Sequence, residues 1–511
     1  MADVYGIPDY VIFLLGTVLL LYLYLTRNFG FWKNRGIPEV PPMILTGSVG
    51  VDFKTNQGVL EQQWYNKYGK VFGIYEGSNP ALMVGEPELL KNILVKDFYA
   101  FSEQRRVRFG DPILDRVFVL QSYERWKELR NIISPAFTSG KLRMMVKDSN
   151  YCAQGLLENF IQIARENREV VVNDYFTAFL MDVIAKCAFG VKLDSRKDPN
   201  NLFVAAIQEL IGPIPWRFII AGYFPGFAKL IRMSIFNPQT ITFFRNVVLQ
   251  VIRERENLKD EEKPMDFLQL MLDFKNNQDR KNEKKILDLD DVVAQCIIFV
   301  IAGFTAMTGT FIYAAHQLAV SPEIQEKLID EIDQTIKDNE ELNYDNISNM
   351  KYLDAFLEEV LRYHTLPIRL ERTAVQDYKL GDTGLVIPKG TVVAVPVHAI
   401  HHDPNYFPDP EKFDPDRFLA EQRKNIIPYT SMPFGIGPRN CLGMKFAQMQ
   451  IKIALAMVLQ RIKFKRGTKT KDKIELHIAR TFNRPKDTYL KMEERNSALN
   501  RTANDNRHIR F

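Results

Sequence analysis

The chain has 511 residues, 46% hydrophobic and 25% charged, with a formal net charge of +5. These are ordinary globular values, and so small a charge on so long a chain excludes a global electrostatic drive toward nucleic acid. Cys152, Cys187, Cys296 and Cys441 form no CxxC pair, which argues against a zinc ribbon or a disulfide framework and for a reducing compartment.

The first predicted element is "YVIFLLGTVLLLYLYL", residues 10–25, apolar and uncharged. With Ile7 and Pro8 it approaches the roughly 20 residues that a membrane span needs. Asp3 and Asp9 precede it, and Arg27, Lys33 and Arg35 follow, which places the rest of the chain on the cytosolic side. A basic region and a small-residue cleavage site are both missing, so an uncleaved anchor over 1–27 is expected rather than a signal peptide. "GIPEVPP" then reads as a stiff proline-rich linker within 28–45. Short strands are expected in 70–85 and 391–400, and a mainly helical pattern runs from about 140 to 365. Residues 213–227, with their aromatics and prolines, suit either a second membrane contact or a buried loop.

The longest apolar stretch, 296–319, follows the acidic run "LDLDD" and reads as a long buried helix. Within it lies "IAGFTAMTGT", which keeps Gly303, Thr305, Thr308 and Thr310. Gly costs roughly 1 kcal/mol against Ala inside a helix, so this segment faces something other than plain core. A further helix is expected over 322–336, loops over 378–434, and a last amphipathic helix over 444–462. The polar tail, 493–511, is expected to be disordered. No Rossmann glycine pattern occurs, which argues against a self-contained nicotinamide site. The fold class is mainly α with small β-sheets, with the main folded domain over 46–492.

In "PFGIGPRNCLGMKF", Gly435, Gly437 and Gly443 surround Cys441 at a helix start. Free backbone N–H groups, the helix dipole and Arg439 all favour a thiolate there, and such a thiolate suits a metal. "FGIGPRNCLG" closely resembles the haem-binding signature of cytochromes P-450. Three more motifs of that family follow the family order: "WKELR" (126–130), "EVLR" (359–362) and "FDPDRF" (413–418). The resemblance covers essentially the whole chain, and "SPAFTSGKL" and the 401–418 segment are similar to arthropod members of the clan that includes vertebrate drug-metabolising enzymes.

The resemblance implies a cytochrome P-450 fold holding haem b (iron protoporphyrin IX), with Cys441 as the iron's axial ligand and Phe434 packed on the haem. It implies that Trp126, Arg130, Arg372, Arg439 and, on weaker grounds, Arg105 reach the haem propionates, and that Glu359, Arg362 and Arg417 form a buried charge network. It also implies a monooxygenase on the endoplasmic reticulum membrane that acts on a lipophilic small molecule. Its electrons would come from an NADPH-cytochrome reductase, with cytochrome b5 as a further donor. Arg125, Lys127, Lys445 and Lys452 are candidates for the basic docking face. His398, His401 and His402 read better as a loop feature than as a metal site, since the haem iron already has its ligand.

The central helix departs from the family pattern. Gly303 stands where a glycine lets the helix open, but Thr305 replaces the usual acid and Ala306 the usual threonine of the proton-delivering pair. Two readings follow: a monooxygenase with an altered proton route, or an isomerase or dehydratase of peroxides or aldoximes that needs no O2 activation. A haem-binding sensor without turnover is a third class.

Overall fold

The computed structural model describes residues 8–48, 55–105, 107–195, 202–211, 217, 220–221, 225–264, 266–280, 286–339, 342–478 and 482–495. Much of the 213–227 segment therefore lies outside the described residues, as does the tail from 496. Helix α1 (Asp9–Thr26) starts after Pro8, whose φ of −57° suits a helix entry, and no residue along it is buried. A helix exposed on every side and this apolar is matched to lipid rather than to water.

The proline-rich segment is docked, not a free connector. Val40 N–H donates to the Gly73 carbonyl (2.9 Å), and Gly73 N–H donates to the Pro38 carbonyl (2.8 Å). Trp32 is completely buried in the same place. The strand expectation for 70–85 resolves into β1 (Val71–Glu76) and β2 (Asn79–Val84), an antiparallel hairpin turned at Gly77 with φ +58°.

The helical body then runs through α2 (Tyr123–Ile133), α3 (Ser139–Arg165), α4 (Val172–Phe189), α5 (Leu289–Val320), α6 (Pro322–Asn339) and α7 (Lys351–Tyr363). The acidic run before α5 acts as a capping box: Asp291 N–H donates to Asp288 Oδ1 (2.8 Å) and Asp288 N–H to Asp291 Oδ2 (3.1 Å). At about 1.5 Å per residue, its 32 residues cross the whole domain. It is apolar enough for a membrane, but most of it is buried in protein.

Strand β3 (Leu370–Thr373) pairs antiparallel with β4 (Val392–Val395), and β4 runs parallel to β2, giving a four-stranded sheet. The strand expected to reach 400 stops at Pro396, which cannot donate to a ladder, and α8 (Val397–His401) follows. The last helix, α9 (Met444–Leu459), ends before 462. Ile462 and Phe464 are buried and Lys463 and Lys465 are not, so β5 (Ile462–Lys465) takes over with period two. It pairs with β6 (Tyr489–Glu494), and Arg495 Nη2 bonds Asp333 (2.6 Å), so the folded part passes the expected boundary at 492.

One core joins α3, α4, α5 and α9, and a second surrounds the four-stranded sheet and Trp32. A Cβ on Gly73 would overlap the Trp32 ring. Gly73→Ala is therefore expected to cost about 1–3 kcal/mol, read as a lower midpoint of chemical denaturation. An unchanged midpoint would show that Trp32 is free to move aside.

Candidate active site around Cys441

The loop before α9 is built on two left-handed glycines, Gly435 (φ +71°) and Gly437 (φ +79°). A Cβ on Gly437 would overlap the Leu94 carbonyl, so only glycine lets the loop lie against that backbone. Gly435 N–H donates to the Met432 carbonyl (3.0 Å), Asn440 N–H to Gly437 (3.0 Å) and Cys441 N–H to Phe434 (2.8 Å). These bonds fix Cys441 just ahead of the helix. Burial pushes the Cys441 thiol up from its usual range, while the Gly443 and Met444 N–H groups and Arg130 act against that rise. The residue is surrounded by protein and still accessible.

Three arginines gather beside this loop. Arg130 donates from Nη1 to the Asn440 carbonyl and from Nη2 to Asn440 Oδ1, both at 2.7 Å. Arg439 donates from Nε to the Ser102 carbonyl (2.7 Å) and lies 4.2 Å over the Trp126 ring. Arg372, 2% exposed, donates from Nη1 to the neighbouring Glu371 carbonyl (2.8 Å). Arg372 Nε and Arg439 Nη2 are buried with no partner. Burial, and for Arg372 the charge of Arg439, lowers both guanidiniums to about 10. Two buried cations that repel each other call for an anion with two acidic arms, and the two carboxylates of a haem meet that need.

Arg105 is not brought into this group. Its guanidinium bonds Glu76, and its Nε donates to Glu371 Oε2 (2.9 Å). Arg369 donates to Glu76 (2.7 Å) in the same cluster and pairs with Glu61 (2.5 Å). The two carboxylates nearest Arg105 outcompete a more distant site.

Glu359 and Arg362, both fully buried, form a bidentate pair at 2.7 Å on α7. Arg362 also donates to the carbonyls of His401 (3.0 Å), Pro410 (2.9 Å) and Lys412 (3.3 Å). Glu359 accepts the Asp414 N–H (2.8 Å), and Arg417 Nε lies 3.7 Å from its Oε1. Burial raises the Glu359 carboxyl, and Arg362 opposes that rise.

The sequence reading gave His401 no role, and the structure gives it one. Its Nε2 accepts the Met432 N–H (3.0 Å), so Nδ1 carries the proton and donates to Thr365 Oγ1 (3.0 Å). Thr365 in turn donates to the Arg362 carbonyl (2.5 Å). One neutral ring thus joins the Glu359–Arg362 helix to the cysteine loop. The flanking Val397, Ala399 and Ile400 were the available signal that His401 is buried.

On α5, Ala302 is exposed and Thr305 and Ala306 are half-buried, although Phe304 and Met307 beside them are buried. The exposed strip is an inner surface, since the helix lies in the core. Thr305 carries the strip's hydroxyl. Thr310 donates to the Ala306 carbonyl (3.0 Å), so its hydroxyl is already engaged. A Cβ on Gly303 would meet Met307 Cε at 3.6 Å and Ile184 Cδ1 at 3.8 Å, ordinary contacts, so packing alone does not demand glycine there. Of the four candidate docking cations, Lys127 and Lys445 are exposed, whereas Arg125 pairs with Asp291 (2.9 Å) and Lys452 is buried against Asp354.

A helical domain with small sheets and a cysteine held in this way defines a haem-thiolate oxidoreductase. The model of the Cytochrome P450 family matches residues 38–492, and the chain belongs to that family. It is 36% identical to Cytochrome P450 3A9 of Rattus norvegicus over 493 residues, which cover 95% of this chain and 96% of the relative. It is 35% identical to Cytochrome P450 3A5 of Homo sapiens over 488 residues, 94% of this chain and 96% of the relative. With Cytochrome P450 3A13 of Mus musculus it shares 37% over 453 residues, 87% and 88% of the two chains. The family uses haem and works as monooxygenases on lipophilic substrates.

Gly437→Ala is expected to displace the cysteine loop, with less haem retained per chain by pyridine haemochrome assay. Full haem retention would show that the loop tolerates the overlap. A second prediction concerns pH. Burial lowers His316, His364, His398, His401 and His402 from the usual 6.5. Below that value the unfolded chain binds more protons than the folded one. Stability is expected to be full above about pH 6.5 and to fall as pH drops, by up to about 1.4 kcal/mol per pH unit for each histidine. Denaturation midpoints at pH 7.5 and 5.5 check this, and a flat profile would contradict it.

Proposed function

We propose that the chain is a membrane-anchored monooxygenase that puts one oxygen atom of O2 into a lipophilic small molecule. Electrons would come from NADPH through a membrane-bound NADPH-cytochrome reductase, with cytochrome b5 as a further donor. The other oxygen atom leaves as water, with one NADPH and one proton consumed per product. The observation that carries this reading is the pair of buried guanidiniums, Arg372 and Arg439, each with one nitrogen left without a partner, beside an accessible cysteine at a helix start.

When bound, haem supplies an iron whose anionic sulfur ligand favours O–O cleavage. The chain's own residues divide the remaining work. Cys441 would be the ligand, with the Gly443 and Met444 N–H groups and Arg130 favouring its anionic form against the rise that burial imposes. Arg130, Arg372, Arg439 and Trp126 would hold the propionates, while Arg105 stays paired with Glu76 and Glu371. Phe434 packs on the haem, and Glu359, Arg362 and Arg417 keep the supporting loops rigid. Gly303, Thr305 and Ala306 form the wall opposite, with Thr305 supplying a hydroxyl. Helix α1 anchors the domain in the endoplasmic reticulum membrane with the body in the cytosol, and Lys127 and Lys445 present charge to the reductase's acidic face.

The Thr305–Ala306 pair favours a second reading, an isomerase or dehydratase of peroxides or aldoximes that works without reductant. A substrate screen with reductase and NADPH, run beside a hydroperoxide and an aldoxime without reductant, separates the two. Turnover only with NADPH is expected, and turnover without it would overturn the monooxygenase reading. Ala306→Thr is expected to raise product formed per NADPH and to lower the peroxide released. If coupling is unchanged or falls, the missing hydroxyl does not limit the reaction.

A further inference from the structure

Ser102 and the half-buried Glu103 belong to no helix or sheet, and all three arginine-bearing elements are tied to them. Thr373 N–H, at the end of the strand that carries Arg372, donates to the Glu103 carbonyl (2.8 Å). Tyr123 N–H, the first of the helix that carries Arg130, donates to Glu103 Oε1 (3.0 Å). Arg439 Nε, from the cysteine loop, donates to the Ser102 carbonyl (2.7 Å). The Trp126 ring closes the group, with the Arg439 guanidinium 4.2 Å and that of Arg130 5.7 Å from its centroid. Two neighbouring residues thus join β3, α2 and the cysteine loop.

None of these bonds requires an acid. A neutral side-chain oxygen would accept the Tyr123 N–H, and the other two acceptors are backbone. What the carboxylate adds is charge. Burial is the largest influence on the Arg439 guanidinium and lowers it. Glu103 opposes that fall, and Arg130 deepens it. Among the described residues, Glu103 is the only carboxylate that acts on any of the three arginines. Glu371, the neighbour of Arg372, is taken up by Arg105 and Arg369. Three guanidiniums and one carboxylate leave two positive charges, and the two carboxylates of a haem cancel them. Without Glu103 the loaded pocket would keep one positive charge in excess.

We propose that Glu103 is a positioning residue for the haem, which matches the charge of the arginine pocket to two propionates and thereby sets the reduction potential of the iron. The proposal rests on the placement of the propionates among Arg130, Arg372 and Arg439, and it is the same whether the reaction inserts oxygen or rearranges a peroxide. Glu103 acts through Arg439 rather than on the reacting atoms. Reduction adds one electron to the haem, and an anion close by disfavours that step. Inside a protein, one unit charge shifts such an equilibrium by about ten-fold at separations on the order of 10 Å. Electron uptake from the reductase is the step this charge governs.

The test compares the haem-loaded full chain with its Glu103→Gln and Glu103→Asp variants by spectroelectrochemical titration without substrate. Gln keeps an acceptor for the Tyr123 N–H and removes only the charge, whereas Asp keeps the charge on a shorter side chain. Glu103→Gln is expected to shift the one-electron equilibrium toward the reduced form by about ten-fold, an upward shift of about 59 mV. Glu103→Asp is expected to stay near the parent. Haem transfer to an excess of apomyoglobin is a second readout, independent of activity. Removing the carboxylate leaves the arginines of the empty pocket less compensated, so Glu103→Gln is expected to hold haem longer than the parent. A purely structural cap would predict the opposite. A parental potential in Glu103→Gln, an equal shift in Glu103→Asp, or faster haem loss from Glu103→Gln would each overturn the charge role. Should Glu103→Gln fold poorly, the same step is read on Arg439→Gln, which lacks the uncompensated cation. Adding Glu103→Gln there is expected to raise the potential, and no rise would overturn the role. Arg372→Gln tests the placement of the propionates separately. It is expected to speed haem loss, and an unchanged rate would overturn the placement on which the proposal rests.

Discussion

Glu359 and Arg362 have no accessible surface, and a charge pair that deep is stable only if its remaining hydrogen-bonding capacity is filled. Here it is filled by backbone. Three carbonyls, from His401, Pro410 and Lys412, and one N–H, from Asp414, are tied to a single helix turn. The loop over 401–417 has almost no regular structure of its own, so this pair supplies what a ladder would supply elsewhere. Removing one partner would leave the other charge buried and alone, at a cost of about 3–5 kcal/mol. His401 carries the same constraint on to Met432 and hence to the cysteine loop. The position of Cys441 therefore depends on an ion pair some 80 residues earlier in the chain.

Rigidity there has an electrostatic purpose. Arg130, Arg372 and Arg439 come from α2, β3 and the cysteine loop, three elements with no reason to place like charges together unless something anionic sits among them. Burial pulls Arg372 and Arg439 down to about 10, with the charge of Arg439 adding to the fall of Arg372 and that of Arg130 to the fall of Arg439. The nearby Arg369 shows the contrast. It is buried too, but Glu61, Glu76 and Glu371 surround it, and its charge is stabilised rather than opposed. The same residue type in neighbouring cores thus serves structure in one case and ligand affinity in the other.

Much of this was legible before any coordinates. The apolar runs marked α1 and α5, and the glycines around Cys441 marked the loop, because spacing and glycine placement are local properties. Long-range competition was not legible. Arg105 follows the same kind of motif logic as Arg130, but which carboxylates stand near it depends on how β1 and β3 meet in space. The docking of 28–45 under Trp32 likewise depends on a glycine 41 residues later. His401 looked like one of three interchangeable histidines, and only the folded chain distinguishes it.

Buried polar groups in this protein fall into two sets, and the division locates its chemistry. Glu359–Arg362 and Arg255–Asp266 are paired and sit where elements must be held. Arg372, Arg439, Tyr313, His316, His364 and Asn483 each keep an unmet atom. Unmet atoms also occur at Trp32, Asn150 and Tyr352 among the described residues, so what carries meaning is the grouping of two cations beside Cys441. The cationic members gather beside Cys441, where a dianionic cofactor belongs, and the neutral members lie around α5 beyond Ala306.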